Sequence, residues 1–215
     1  MLPFACCFVF AAIPVEPSAP ILDNEQVRVV RALEKPHVKG AFHEHKPNRV
    51  MIYLQPGTQT FEYKDGRKPE TFNWKAGQVV WSPAGGLHSP EVTSNEGFNI
   101  VEVELKTKGG KAADVKRDPP KVDPKHYTVE FENDQVRVMR VKVGAHEKVA
   151  MHDHGLNRIS VFLTDADVKS TSADGKVETA HHKAGEAAWS AGAFSHAEEN
   201  QSDKGYEVVL VEIKG

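Results

Sequence analysis

Two stretches of this chain carry the same set of side chains able to do chemistry. "FHEHKPNR" at 42–49 and "MHDHGLNR" at 151–158 each place a His-x-His pair ahead of Asn-Arg. In an extended strand, residues i and i+2 project from the same face. His43 and His45 therefore share a face, as do His152 and His154. Two imidazoles converging in this way are two of the ligands a transition metal needs, at about 2 Å from the ion. A third ligand has to come from elsewhere in the chain. His88 and His196, each preceded by a turn of small residues, are the candidates. A carboxylate that would complete such a site is missing. Arg49 and Arg158 stand four residues after the second histidine instead, and arginine, always protonated, cannot be a ligand.

The elements that must position these residues are written twice. "NEQVRVVR" at 24–31 matches "NDQVRVMR" at 133–140, an offset of 133 − 24 = 109. "KAGQVVWS" at 75–82 matches "KAGEAAWS" at 183–190, an offset of 183 − 75 = 108. The histidines, Asn48/Asn157 and Arg49/Arg158 keep this register, so the chain is a duplication. Residues 20–106 form the first expected domain and 126–215 the second. The Gly-, Pro- and Lys-rich stretch 107–125 joins them as a linker or strap. "VRVVRAL", "NRVMIYL", "GQVVWS" and "NIVEVEL" alternate as strands do, and turn residues such as "QPG", "KDG" and "ADG" separate them. No stretch shows a capped 3.6-residue period, so the expected class is all-β, a sandwich or barrel with little helix.

The chain has 215 residues, a net charge of −3 and 27% charged residues, which suits a globular protein and gives no basis for a nucleic-acid or membrane partner. The expected partners are a small anionic molecule and, among macromolecules, at most a second copy of the chain in a homodimer. Both cysteines, Cys6 and Cys7, lie in an apolar start that runs into "PVEPSAP". Residues 1–19 resemble the apolar region and tail of an export signal peptide, although the Lys/Arg start is missing and Pro20 follows the candidate cleavage residue Ala19. The expected location is extracytoplasmic, periplasmic or secreted, with a cytosolic protein as the alternative.

With these residues in place, the chain resembles the cupins. Their first motif carries a glycine, a His-x-His pair, a glutamate and a closing glycine; their second carries Gly, Pro, Gly, His and Asn. Here Gly40, His43, His45 and Gly57 follow the first motif loosely, and Gly77, Pro83, Gly85 and His88 follow the second closely. The second unit has His152, His154, Gly185, His196 and Asn200, with Ala191 and Ala193 replacing Pro and Gly. The resemblance covers both units and implies a bicupin: two tandem double-stranded β-helix (jelly-roll) barrels. The family's glutamate position is occupied by Arg49 and Arg158. The resemblance implies three-histidine metal sites at His43, His45, His88 and at His152, His154, His196. Iron is the first candidate, with zinc, manganese or nickel as alternatives.

Three functional readings follow. In the first, a three-imidazole Fe(II) site keeps its full charge and leaves positions open for a chelating anion and dioxygen, as in a dioxygenase. Arg49 or Arg158 would then grip that anion. In the second, the chain binds or stores a metal or small ligand without turning it over. In the third, the arginines sit in the sites and keep metal out. By alternation from His45, Arg49 lies on the histidine face unless Pro47 breaks the phase. No general base is placed by motif near either triad. His37 and His146 are expected to be exposed, and His181 and His182 to be a solvated strand residue and its neighbour. Trp81 and Trp189 are expected to pack in the barrel wall, and "HAEEN" at 196–200 to be a polar turn whose Asn200 fixes backbone.

Overall fold

A computed structural model describes residues 19–215. The expected export segment, residues 1–19, therefore lies outside the described residues except for Ala19. The first unit supplies β1 (Pro20–Asp23), β2 (Val27–Glu34), β3 (His43–His45), β4 (Arg49–Tyr53), β5 (Gly57–Tyr63), β6 (Glu70–Trp74), β7 (Gln78–Ser82), β8 (Gly85–Val92) and β9 (Phe98–Leu105). After α1 (Pro119–Val122) come β10 (Tyr127–Glu132), β11 (Val136–Val143), β12 (Lys148–His154), β13 (Arg158–Phe162), β14 (Ala166–Ser172), β15 (Val177–His182), β16 (Ala187–Ser190), β17 (Phe194–Asn200) and β18 (Tyr206–Ile213). Among the described residues the structure is all-β apart from that single turn of helix.

Each unit folds into a barrel of two antiparallel sheets. In the first, the five-stranded sheet β1-β2-β9-β4-β7 faces the four-stranded sheet β3-β8-β5-β6. In the second, β10-β11-β18-β13-β16 faces β12-β17-β14-β15, the same order repeated. These are two double-stranded β-helix barrels in tandem.

The central strands are buried on both faces, and alternation divides their side chains between two cores. In β4 all five residues are buried. Val50 and Ile52 reach across the barrel boundary: with Ile159, Val161, Val209 and Val211 they form a core shared by both barrels. Met51 and Tyr53 point the other way, into the lumen of the first barrel with Phe98 and Ile100. In β18, likewise, Val209 and Val211 enter the shared core while Val208 and Leu210 line the second lumen. The five-stranded sheets thus pack face to face, and each lumen lies on the opposite side of its own sheet.

The contact between barrels is pseudo-symmetric down to single hydrogen bonds. The Arg140 guanidinium donates to the Gly77 carbonyl at 2.7 Å, and its counterpart Arg31 donates to the Gly185 carbonyl. Asn157 donates to the Gln26 side chain at 2.6 Å, and Asn48 donates to Gln135 at 2.5 Å. The asparagine of each repeated motif is therefore an interface residue, and its Oδ1 also accepts a backbone N–H, from Ala84 or Gly192. Trp81 and Trp189 pack against the shared core and not into a lumen. A period of two assigns a side chain to one of two faces; it cannot say which face meets the other barrel.

The stretch 107–125 is bound along the second barrel. The Gly110 N–H donates to Asp134, and the Arg117 backbone and guanidinium both bond Asp153 on β12. Asp118 then receives Arg137 at 2.7 Å. Gly155 has no side chain because there is no room for one: a Cβ there would lie 2.4 Å from the Ala113 Cβ. His37 and His146 are exposed, as expected from the sequence, and both sit in left-handed turns at φ 57° and 56°.

Candidate metal centres

Each barrel brings its three histidines together. In the first, β3 carries His43 and His45, and its antiparallel pairing with β8 sets His43 opposite His88. In the second, β12 carries His152 and His154, and pairing with β17 sets His152 opposite His196. The ring spacings nearly coincide. Centroids lie 4.9, 4.7 and 5.4 Å apart in the first triad and 4.8, 4.5 and 5.4 Å apart in the second. In both, one nitrogen from each imidazole falls within 4.8 Å of the others. Burial differs: His152, His154 and His196 are 0%, 2% and 6% exposed, whereas the first three are half-buried.

In the second barrel the hydrogen bonds fix where the ring protons sit. His152 Nδ1–H donates to the Ala150 carbonyl at 2.8 Å, and His154 Nδ1–H donates to Glu212 at 3.2 Å. A proton on His196 Nδ1 would be accepted by the Ser170 hydroxyl at 3.0 Å, with Glu198 at 3.6 Å, and would leave the lone pair on Nε2. All three lone pairs are then on Nε2. His152 Nε2 and His154 Nε2 are only 3.1 Å apart, and His196 Nε2 is buried with no hydrogen-bond partner. Two nitrogens each about 2 Å from one ion, roughly at right angles, would lie about 3 Å apart. Converging lone pairs repel unless a cation lies between them, so this donor set fits a divalent transition metal. Glu212 also receives Arg137 at 2.7 Å, so the carboxylate that orients His154 is itself held.

Burial keeps these imidazoles neutral, the form a metal requires. His154 and His196 are pushed down to about 2, chiefly by desolvation; the Arg158 charge adds to the effect in both. His152 is lowered for the same first reason.

Both motif arginines point inward, at 4% and 5% exposure. Their surroundings differ. Arg49 donates to Glu102 at 2.7 Å and to Ser82 Oγ at 3.2 Å, and its NH1 lies 2.6 Å from His45 Nδ1. The residue matching Glu102 at the 108 offset is Leu210. Without that carboxylate, Arg158 donates to the Ala191 carbonyl at 3.3 Å and has no ion pair among the described residues. It lines a cavity of about 270 Å³ together with His154, His196, Tyr127, Ser170 and Glu198. Burial lowers its pKa, and Glu198, Glu212 and Tyr127 act against that shift.

Several residues at this centre carried no sequence signal. The Tyr127 hydroxyl lies 3.1 Å from His152 Nε2, and burial holds its pKa far above the usual range. Glu198 and Glu212 put carboxyl groups beside the triad, where the motifs place none. The segment "HAEEN" is strand β17 and not a turn; it delivers both His196 and Glu198 to the lumen. Asn200 at its end does fix backbone, donating to the Gly144 and Lys204 carbonyls at 2.9 and 2.8 Å. Of the pair His181 and His182, His181 is the solvated strand residue and His182, its neighbour, lines the cavity and stacks on Phe162 with centroids 3.9 Å apart.

No family model matches the sequence, and no curated protein does. Solved structures do match the fold. AerE from Microcystis aeruginosa superposes with a TM-score of 0.62 at 13% identity, over 92% of this chain and 97% of that one. Bacillus subtilis oxalate decarboxylase, described with Mn(II) centres, gives 0.63 at 13% identity, over 88% of this chain and 69% of its own. A cupin 2 conserved barrel domain protein from Leptotrichia buccalis gives 0.56 at 14% identity, over 95% and 92%. At such identities the likeness is one of fold, and the fold is the tandem cupin.

Proposed function

We propose that this tandem cupin holds one divalent transition metal on His152, His154 and His196 and presents it to a small anionic chelating ligand gripped by Arg158. The observation that carries the reading is the buried His196 Nε2, which has no partner and faces two further lone pairs 3.1 Å apart from each other. A metal there would supply open coordination positions for a chelate and, if it is iron, for dioxygen, which is the dioxygenase-type reading. The chain's own groups do the rest. Arg158 offers a planar fork of donors suited to a carboxylate or enolate. Tyr127 offers a protonated hydroxyl beside His152. The apolar lining from Val141, Phe162, Val168 and Leu210 limits water. A cavity of about 270 Å³ suits a ligand of a few carbons.

The cavity's size supports a short carboxylate as ligand; manganese, as in the oxalate decarboxylase, and iron, zinc and nickel are the candidate ions. The test is metal analysis of purified protein loaded anaerobically with Fe(II) or Mn(II), then calorimetric titration with short dicarboxylates and 2-hydroxy acids. Arg158→Gln should keep the metal and lose about 1.5–3 kcal/mol of anion affinity, the scale of a charged hydrogen bond. A protein that retains no metal on the second triad, or a variant that binds these anions as the wild type does, would refute the reading.

A further inference from the structure

The two triads have the same shape and differ in where one proton sits. In the first barrel, His43 Nδ1–H donates to the Ala41 carbonyl at 2.9 Å and His88 Nδ1–H donates to the Gly86 carbonyl at 2.7 Å. These two rings match His152 and its partners. His45 does not. Its Nδ1 faces the Arg49 guanidinium at 2.6 Å, and a guanidinium can only donate. His45 Nδ1 must therefore accept. That excludes the doubly protonated ring and leaves the single proton of the neutral ring on Nε2. Its counterpart His154 has Glu212, an acceptor, at the same nitrogen.

Arg49 is fixed in this position. Glu102 accepts from it at 2.7 Å, Ser82 Oγ accepts at 3.2 Å, and the side chains of the Arg49–Glu102 pair are 5% and 10% exposed. Glu104, which matches Glu212, is paired with Arg28 at 3.1 Å. One exchange between the repeats accounts for the difference. Where the second barrel has Leu210, the first has Glu102, and the carboxylate draws the arginine toward His45.

Resting on the metal-binding reading of the second barrel, we infer that the first triad is a metal-free site, locked by Arg49, which holds His45 in the tautomer that cannot complete a three-nitrogen ligand set. A dication entering there would meet two lone pairs, an N–H and a guanidinium. The chain then binds one metal where its six matched histidines suggest two. The third reading of the arginines holds in the first barrel, and the ligand-binding reading belongs to the second.

The experiment is metal stoichiometry, with a tautomer measurement that does not depend on metal. Wild-type chain saturated with Zn(II) and desalted should retain one ion, and the His152→Ala/His154→Ala variant should retain none. Arg49→Met/Glu102→Leu, which removes both charges together and supplies the leucine of the second barrel, should retain two. Two ions on wild type, one ion on the His152/His154 variant, or no gain in the Arg49/Glu102 variant would each overturn the inference. An empty wild type with one ion gained by the Arg49/Glu102 variant would refute the second-barrel site and leave the lock standing. If that variant does not fold, ¹⁵N spectra of metal-free wild type still decide. His45 should appear as the Nε2–H tautomer while His43 and His88 appear as Nδ1–H; His45 as Nδ1–H would end the argument.

Discussion

Glu34 lies inside the first barrel, where it accepts from Gln59 at 2.6 Å. Burial, reinforced by the nearby Glu102 charge, raises its carboxyl from the ordinary 4.5 to about 7. Below about pH 7 the carboxyl is therefore mostly protonated, and there the Arg49–Glu102 pair is the balanced charge of that lumen. The folded state binds this proton more tightly than the unfolded state does, so the contribution to stability is fully present below pH 4.5 and is lost as pH rises through about 7. The whole gap is worth about 3.4 kcal/mol at about 1.36 kcal/mol per pH unit. Between pH 5 and pH 8.5 about 2.5 kcal/mol of it should be lost, or about 2 kcal/mol allowing for residual solvent contact. Glu34→Gln keeps the shape and removes the titration. Urea unfolding of both proteins at the two pH values isolates the effect from every other group. The wild type should lose about 2 kcal/mol more than the variant on going to pH 8.5. Equal losses would mean that Glu34 is ionised in the folded protein, and the charge balance argued for the first lumen would be wrong.

Further outcomes are expected. Glu212→Gln weakens both the His154 and the Arg137 contacts and should cost about 10-fold or more in metal affinity, measured by competition with a chelator. Arg158→Glu adds a ligand and removes a repelling cation, so metal affinity should rise while anion affinity falls; no change in either would show that Arg158 does not act on the site. Ile159→Ala opens a hole in the core shared by the barrels and should cost about 2–5 kcal/mol, seen as one cooperative transition moved to lower temperature. Chelator treatment should lower the melting temperature of wild type, since a metal at about 100 times its Kd adds about 2.7 kcal/mol; a His152→Ala/His154→Ala variant should show no such shift.

The histidine triads are legible in the sequence because two simple rules converge on them. Strand alternation puts His43 with His45, and the repeat supplies His88 and His196 at matching positions. Pro47 leaves the direction of Arg49 open at the level of sequence, and the structure places both motif arginines in the interior. The contrast between the two sites is illegible for a physical reason. It depends on Glu102 against Leu210, a cross-strand difference far along the chain from either arginine. Tyr127 gives no signal because its strand adds to the sheet ahead of the repeated motif. "HAEEN" reads as a turn because a strand that turns His196 and Glu198 into the lumen loses the apolar alternation by which strands are recognised. The same ambiguity assigns Trp81 and Trp189 to the wall of a barrel when they pad the join between two.

That join has the form of a two-fold dimer contact: Arg31 answers Arg140, Asn48 answers Asn157, and the same face is used by both units. In a true homodimer of single barrels, any substitution would appear in both pockets at once. A glutamate in place of the lumenal leucine would alter both copies together, and neither pocket could keep the old chemistry. Fusing the two copies into one chain removes that constraint while preserving the contact that holds them. Each pocket can then vary alone, and the partner that has given up one task can remain as the scaffold against which the other folds.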